Sequence, residues 1–457
     1  MRSIQLINAP LAKNFYPSIR AGAYPPLHLA SLAAFLRKGF PQVDLQIFDG
    51  ELSSIEDIIS CLHADIIAIS CNSLTYDSAL RIAKSAKLKG SFVILGGAHP
   101  TFVGEAILHN RCFVDAVIYG DGELALANLV DTIRLSSIPN LIYREGEKII
   151  TNKSCNIELD DLPFPDYTGI RLEPYFLNYQ KLYSDKPFKK VFAAFSAKGC
   201  QWRNQTGGCI FCAVQHTGFR IKSVKKYWRE LEMLQDNWGA DFVWDVSDTF
   251  TSQPQWVRTL VDNKPQGINL PYQIYARSSD INKEMVHLLA RLGVYEVFLG
   301  LDAGSNITLQ KSRKGTTVSG NLKAIKNLNR EGIKVIISVV IGLPGETEDT
   351  LRATRLMTED ILSWGDLSEI NCSILLPLPG SHAMNMLKRV APSQKGREDL
   401  FDAEALRKSW VSNFCEVDYA MLMEEQKQIM QLHDRVGSFG VTVIEQANYA
   451  TGISDIS

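Results

Sequence analysis

Strand-like and helix-like runs alternate along most of this chain, in two separate series. The first contains the apolar runs IQLINA (4–9), VDLQIF (43–48), DIIAIS (65–70), FVILGG (92–97) and DAVIYG (115–120). Helical stretches such as PLHLASLAAFLRKG (26–39) and DSALRIAKSAKLKG (77–90) lie between them. Strands spaced by helices pair in parallel, because each helix carries the chain back along the sheet. The series therefore predicts an α/β fold that begins with a doubly wound, Rossmann-like domain over residues 1–150, closed by a hairpin at LIYREGEKII (141–150). The prolines of ELDDLPFPDYTGI (158–170) favour an extended crossing segment, and residues 151–190 read as the linker. The second series comprises VFAAFSA (191–197), DFVWDVS (241–247), YQIYARS (272–278), YEVFLGL (295–301), KVIISVVIG (334–342) and EINCSILL (369–376). Six such units close only part of a barrel. Residues 191–384 are expected to form a partial (β/α)6 barrel, and 385–457 a helical segment covering its open side.

Composition narrows the partners. The chain of 457 residues is 46% hydrophobic, enough for large cores, and carries a net charge of -2. Nucleic acid or an anionic membrane surface would demand a basic excess, so neither is expected as a partner. The longest apolar runs are strand length, and MRSIQLINAP does not read as a signal peptide. A cytoplasmic location is expected. Nine cysteines, an odd count, argue against a disulfide framework. Six of them are scattered and read as small buried hydrophobes.

The other three, Cys200, Cys209 and Cys212, crowd one loop, with His216 just beyond. Cys200 follows the first barrel strand, where a barrel places its active site. Thiolates are soft ligands that suit zinc, copper(I) or iron–sulfur centres. Cys200, Cys209, Cys212 and His216 would serve as a structural Cys3His zinc site. Alternatively, three cysteines hold a [4Fe–4S] cluster and leave one iron open to an outside ligand. A chain with ample core has little need of a zinc staple, and three bare thiols on a glycine-containing loop would invite oxidation.

Several further segments carry a resemblance. YPPLHLASLAAFLR (24–37), GGAHPT (96–101), YGDGE (119–123), LDDLPFPDY (159–167), GLDAGS (300–305), IGLPGETEDT (341–350) and LPLPGS (376–381) occur in the order of the motifs of one family. With them, the chain resembles the cobalamin-binding radical S-adenosylmethionine (SAM) enzymes over roughly its first five-sixths. One departure stands out. The family spacing is CxxxCxxC, whereas here eight residues separate Cys200 from Cys209 and two separate Cys209 from Cys212. The inserted RNQTGG is rich in turn formers, so a longer loop still returns the first thiol to the others.

The resemblance implies the cofactors: a [4Fe–4S] cluster on Cys200, Cys209 and Cys212, SAM on its open iron, and cobalamin on the first domain. It implies that Phe211 packs near the adenine and that the backbone near Ile341 and Gly342 touches it. It implies polar contacts to SAM from Asp248, Arg277 and Asp302, where a guanidinium suits the SAM carboxylate and Asp302 the ribose hydroxyls. Ser73, Leu74, Gly96, Gly97 and His99 are implied as cobalamin contacts, with His99 read as a loop residue and not as a cobalt ligand. No Asp-x-His-x-x-Gly motif follows the first strand, because LAKNFYPSIRAG (11–22) holds no histidine. Cobalt is therefore expected to lack a histidine beneath it. Trp202, inside the cysteine loop, is the one tryptophan singled out as a candidate for a substrate pocket.

The activity implied is methylation of an unactivated carbon of a small-molecule substrate, through a 5′-deoxyadenosyl radical and methylcobalamin. An electron donor such as flavodoxin or ferredoxin is implied as partner. A non-methylating rearrangement or oxidative cyclisation uses the same motifs. A methylthiotransferase would need a second upstream triad, for which Cys61, Cys71 and Cys112 are the candidates. A zinc-stabilised corrinoid carrier is the non-enzymatic alternative.

Overall fold

The computed structural model describes residues 2–11, 22–131, 134–216, 218–364, 367–391 and 400–433. The first series of strands becomes β1 (Ile4–Asn8), β2 (Leu45–Asp49), β3 (Ile66–Ser70), β4 (Phe92–Gly96) and β5 (Ala116–Ile118). The hairpin follows as β6 (Leu141–Glu145) and β7 (Lys148–Thr151). They form one sheet in the order β2-β1-β3-β4-β5-β6-β7, parallel through β5 and antiparallel beyond. The order reverses between β1 and β3, which opens a crevice beyond their carboxyl ends. Ile7, Ile67, Ile69, Val93, Leu95 and Val117 fill one face of this sheet; Ile4, Leu6, Ile66, Ile94 and Ile118 fill the other.

The second series begins with β8 (Val191–Ala194), then a two-residue pair, β9 (Ala197–Lys198) and β10 (Arg220–Ile221), which brackets the cysteine loop. β11 (Phe242–Asp245), β12 (Tyr272–Ala276), β13 (Val294–Asp302), β14 (Lys334–Ile341) and β15 (Leu367–Ile374) complete it. The six long strands are all parallel, in the order β15-β14-β13-β12-β11-β8, as a partial barrel requires. Helix Val224–Trp238 buries Trp228, Leu231 and Leu234 on the face its periodicity announces.

The segment between the sheets is less extended than its prolines suggest. It contains helix Glu173–Leu182, which buries Tyr175, Phe176 and Tyr179. The Tyr175 hydroxyl donates to Asp49 at the end of β2. Beyond the barrel, helices His382–Val390, Ala403–Phe414 and Tyr419–His433 follow, and the last packs against β15 at the barrel's edge. Residues 392–399 and 434–457 of this expected helical segment lie outside the described residues. Among the described residues no helix is long and apolar enough to cross a membrane.

Candidate active site

The carboxyl ends of both sheets face one cleft of about 730 Å³. One wall comes from the first domain: Asn8 at the end of β1, Ser70, Cys71 and Asn72 at and after the end of β3, Gly96 and Gly97 at and after the end of β4, and Gly120 to Glu123 after β5. The other comes from the barrel: Ala197 and Lys198, Cys212 to His216, and Trp244, Val246 and Asp248 along and beyond β11. Below the first wall the cleft deepens into an aliphatic slot between sheet and helices, lined by Leu6, Leu29, Leu32, Ala68, Ile94, Ile118 and Leu126. Nothing in the spacing of these residues along the sequence distinguishes a slot from a filled interior.

The cysteine loop owes its shape to the inserted residues. Gln201–Thr206 form one short helix with Cys200 at its start. Gly207 and Gly208 then turn back with φ of 84° and 79°, left-handed values that glycine adopts without strain. A Cβ on Gly208 would stand 2.9 Å from that of Arg203. Arg203 donates to the Cys212 carbonyl at 2.6 Å and to the Gly380 carbonyl at 3.1 Å, tying the loop's two ends to the segment after β15. The loop is also held by Ile210, whose N–H donates to Ser312 and whose carbonyl accepts from Ala383.

Cys209 is buried, and Cys200 and Cys212 are half-buried. Burial pushes the Cys212 thiol up to about 12, and the nearby Cys209, Asp248 and Cys200 add to the rise. Burial likewise raises Cys209, while Lys314 opposes it and Asp302 adds to it. Cys212 thus lies within electrostatic reach of both other thiols and of Asp248, and Cys209 within reach of Asp302. The zinc alternative does not fit this arrangement. The His216 ring points to Asp121, with Nδ1 3.5 Å from its carboxylate. Among the described residues no three His, Cys, Asp or Glu side chains gather round one point as a single ion requires. A cubane cluster makes no such demand, because each thiolate takes a different iron.

The other singled-out residues divide. Asp248 opens into the cleft, and its carboxylate accepts the Gly199 N–H. Phe211 is half-buried against the main core. Arg277 lies over the Trp202 ring, 4.5 Å from its centroid, and donates to the Lys314 carbonyl. Trp202 therefore serves as a platform for Arg277, with its indole N–H on the Arg313 carbonyl at 3.1 Å. Asp302 does not offer a free carboxylate to a ribose: it is buried and pairs with Lys314 at 2.8 Å, a partner that no motif marks. Nor is the Gly342 backbone open to an adenine. Its N–H donates to Glu346 at 3.1 Å and its carbonyl accepts from Trp410 at 2.8 Å. The Ile341 carbonyl accepts from Leu375, which leaves its side chain for contact.

On the first domain, Gly97 has φ of 99° at the start of helix Ala98–Asn110, and a Cβ there would stand 2.5 Å from the Cys71 carbonyl. Gly96 faces open space, with nothing nearer than 3.8 Å. Ser73 and Leu74 form a short helical turn capped by Asn72. His99 sits in the first turn of its helix, not in a loop, buried between Tyr76 and Phe401, with Nδ1 3.0 Å from Ser73 Oγ. Burial holds it down to about 4, so it is neutral. Ser73, Leu74 and His99 stand behind the cleft wall and do not line it. Cys71 lies at the carboxyl end of β3, whereas Cys61 and Cys112 precede β3 and β5, at the opposite end of the sheet. A five-residue strand separates them by roughly 15 Å. They form no upstream triad.

The two halves match two family models: the B12 binding domain over residues 20–130 and the Radical SAM superfamily over residues 196–357. This chain belongs to the cobalamin-binding radical SAM enzymes. As a member of that family it uses a [4Fe–4S] cluster, SAM and cobalamin. It is 27% identical to an uncharacterized methyltransferase of Pyrococcus horikoshii, over 78% of this chain and 77% of that one. It is also 27% identical to an anaerobic magnesium-protoporphyrin IX monomethyl ester cyclase of Rubrivivax gelatinosus, over 74% of this chain and 63% of the cyclase. The fold resembles that of the cobalamin-dependent radical SAM enzyme OxsB, with a TM-score of 0.67 at 17% identity over 86% of this chain. It spans 62% of OxsB, so both OxsB and the cyclase are larger than the region they share with it.

The cleft fits these groups on its own evidence of shape and polarity. The aliphatic slot accepts a flat apolar base, and the bare edge at Gly96 lets a macrocycle approach the backbone. Glu123 Oε2 and Gln215 Oε1 are buried acceptors with no hydrogen-bond partner among the described residues, and both residues line the cleft. The amide-rich rim of a corrinoid supplies the donors they lack.

Proposed function

We propose that this cobalamin-dependent radical SAM enzyme is a methyltransferase acting on an unactivated carbon of a small molecule. The observation that carries the reading is the single cleft, with Cys212 and Asp248 on one wall and the Gly96 edge on the other. When bound, the cluster with SAM supplies a carbon-centred radical and the corrinoid a methyl group, so both reagents meet the substrate without crossing solvent. Cys200, Cys209 and Cys212 hold the cluster. Phe211 and Ile341 pack the adenine, while Asp248 accepts hydrogen bonds from SAM. Arg277, braced by Trp202, offers its guanidinium edge to the SAM carboxylate. Gly96, Gly97 and the aliphatic slot seat the corrinoid, and Ser73, Leu74 and His99 back that seat from behind. A small acidic electron carrier is the expected reductant.

The test is anaerobic reconstitution with iron, sulfide and hydroxocobalamin, followed by turnover with SAM and candidate acceptors. Methyl transfer yields S-adenosylhomocysteine and 5′-deoxyadenosine together. The cyclase relative makes the second reading specific: 5′-deoxyadenosine with no S-adenosylhomocysteine would favour cyclisation or rearrangement and end the methyltransferase proposal.

A further inference from the structure

The cysteine loop has two sides. Cys212 lines the cleft. Trp202, two residues beyond Cys200, lines a separate surface groove of about 620 Å³ that shares no residue with the cleft. Trp202 and Thr206 of the inserted helix form one side of this groove, and Asn306, Gln310, Arg313 and Thr317, from the segment after β13, form the other. The Trp202 ring is held in place, with its N–H on the Arg313 carbonyl at 3.1 Å and Arg277 4.5 Å from its centroid. Arg277 also donates to the Cys209 thiol, so the ring in the groove and a cysteine of the loop share one neighbour.

Charge sets the groove apart. The whole chain has 48 Lys and Arg against 50 Asp and Glu. Yet no Asp or Glu occurs from Lys186 to Arg229, which contains the cysteine loop, or from Ala303 to Arg330, which supplies the far side of the groove. None occurs either from Ile370 to Val390, which fastens the loop through Gly380 and Ala383. Four cations stand in or beside the groove: Arg313 lines it, Lys311 follows Gln310, Arg203 follows Trp202, and Arg277 lies over the ring. Among the described residues none of the four makes an ion pair, whereas Lys314 beside them has Asp302. Cations gathered without counter-charges attract an anionic partner and set its orientation. Trp and Arg are also the residues that anchor protein interfaces, and Ile307, 65% exposed, adds an apolar contact at the rim.

We propose that this groove is the docking site of the acidic one-electron carrier protein that reduces the cluster. The inference rests on the reading that Cys200, Cys209 and Cys212 hold the cluster. One electron leaves the carrier, which is oxidised, and enters the cluster, which is reduced; no bond forms or breaks. A cleft of about 730 Å³ cannot admit a protein, so the electron enters from the loop's other side, where Trp202 meets solvent. The residues that widen the spacing between Cys200 and Cys209 thus supply one side of the docking groove.

The experiment uses the full chain, reconstituted with iron and sulfide, and flavodoxin as the carrier. Fluorescently labelled flavodoxin is titrated with the chain to measure binding, and stopped-flow absorbance follows reduction of the cluster by flavodoxin hydroquinone. The photogenerated 5-deazaflavin radical, small and uncharged, is the comparison reductant. Gln310→Glu combined with Arg313→Asp places two carboxylates in the groove, and aspartate tolerates the φ of 56° at Arg313. Lys148→Glu, on the edge strand of the first sheet, is the control of the same sign. At low salt the double variant is expected to bind flavodoxin about tenfold more weakly and to accept its electron about tenfold more slowly, with the deazaflavin rate unchanged and the control within about twofold of wild type. Raising the salt should bring wild type down toward the double variant. Equal slowing with both reductants, no change in the double variant, or an equal loss in Lys148→Glu would each overturn the docking site while leaving the cluster reading intact. So would transfer RNA that displaces flavodoxin from wild type and no longer binds the double variant, which would assign the groove to nucleic acid. Iron–sulfur absorbance that survives Cys209→Ala unchanged overturns the cluster reading, and this inference with it.

Discussion

Gly96 and Gly97 are neighbours in sequence with different reasons for being glycine. At Gly97 the backbone demands it: φ is 99° and a Cβ would stand 2.5 Å from a carbonyl oxygen. Gly97→Ala is expected to cost about 2–3 kcal/mol in a urea titration, with or without cofactor. At Gly96 nothing stands within 3.8 Å, so Gly96→Ala should leave the apoprotein's stability within about 0.5 kcal/mol. It should nevertheless weaken cobalamin retention at least tenfold, because its methyl group occupies the face the macrocycle approaches. Equal loss of stability in both variants would show that Gly96 is structural. The sequence GGAHPT marks both glycines but cannot separate them, since strain and ligand approach leave the same letter. The same blindness affected Asp302 and Lys314. The aspartate was legible as a strand-end carboxylate, while its partner, twelve residues on, is identified only by the loop that folds back over it.

At the scale of elements the reading was nearly complete. Every expected strand is present within a few residues, because β-branched runs cut by glycine and helix-forming stretches leave little choice of period. What stayed hidden was how short segments are fastened. The insertion between Cys200 and Cys209 read as a loop of turn formers, yet it forms a helix whose Trp202 supports Arg277 and whose Arg203 ties Cys212 to Gly380. These bonds make the insertion a brace for the cysteine loop. Arg203→Met keeps much of the bulk and removes both charged hydrogen bonds, each worth about 1.5–3 kcal/mol where buried. Much of that loss should fall on the loop alone, which two anchors at Ile210 still hold. Reconstituted Arg203→Met is expected to bleach its iron–sulfur absorbance several-fold faster under a chelator than wild type, with cobalamin binding unchanged. A matching loss of cobalamin would mean that the whole chain, and not the brace, had failed.

A small ionic cluster joins the two sheets where they face each other across the cleft. Asp121, in the YGDGE turn after β5, reaches Lys198 at 2.9 Å and Arg220 at 2.8 Å, on the two strands that bracket the cysteine loop. Glu123 adds a contact to Lys198 at 3.3 Å. Burial alone would raise the Asp121 carboxyl, but Lys198, Arg220 and His216 outweigh it and hold it below the ordinary carboxylate range. Burial and the two cations hold His216 down to about 4 against the pull of Asp121. The two groups act over different pH windows. An unfolded histidine accepts its proton near pH 6.5 and the folded one refuses it until about 4, so the chain loses stability as pH falls between those values. Asp121, depressed when folded, contributes fully above about pH 4 and loses that contribution only on further acidification. Asp121→Asn takes the shared carboxylate from two half-buried cations, of which Lys198 keeps Glu123, and should cost about 2 kcal/mol at neutral pH. The gap to wild type should persist undiminished down to about pH 5 and close only below the carboxylate range. Urea titrations followed by tryptophan fluorescence at several pH values would measure it. A gap that closes with the histidine, near pH 6, would assign the latch to His216 and not to Asp121. Limited proteolysis should report the same event in space, with cleavage of Asp121→Asn rising in the segment between the sheets while the cores of both remain protected.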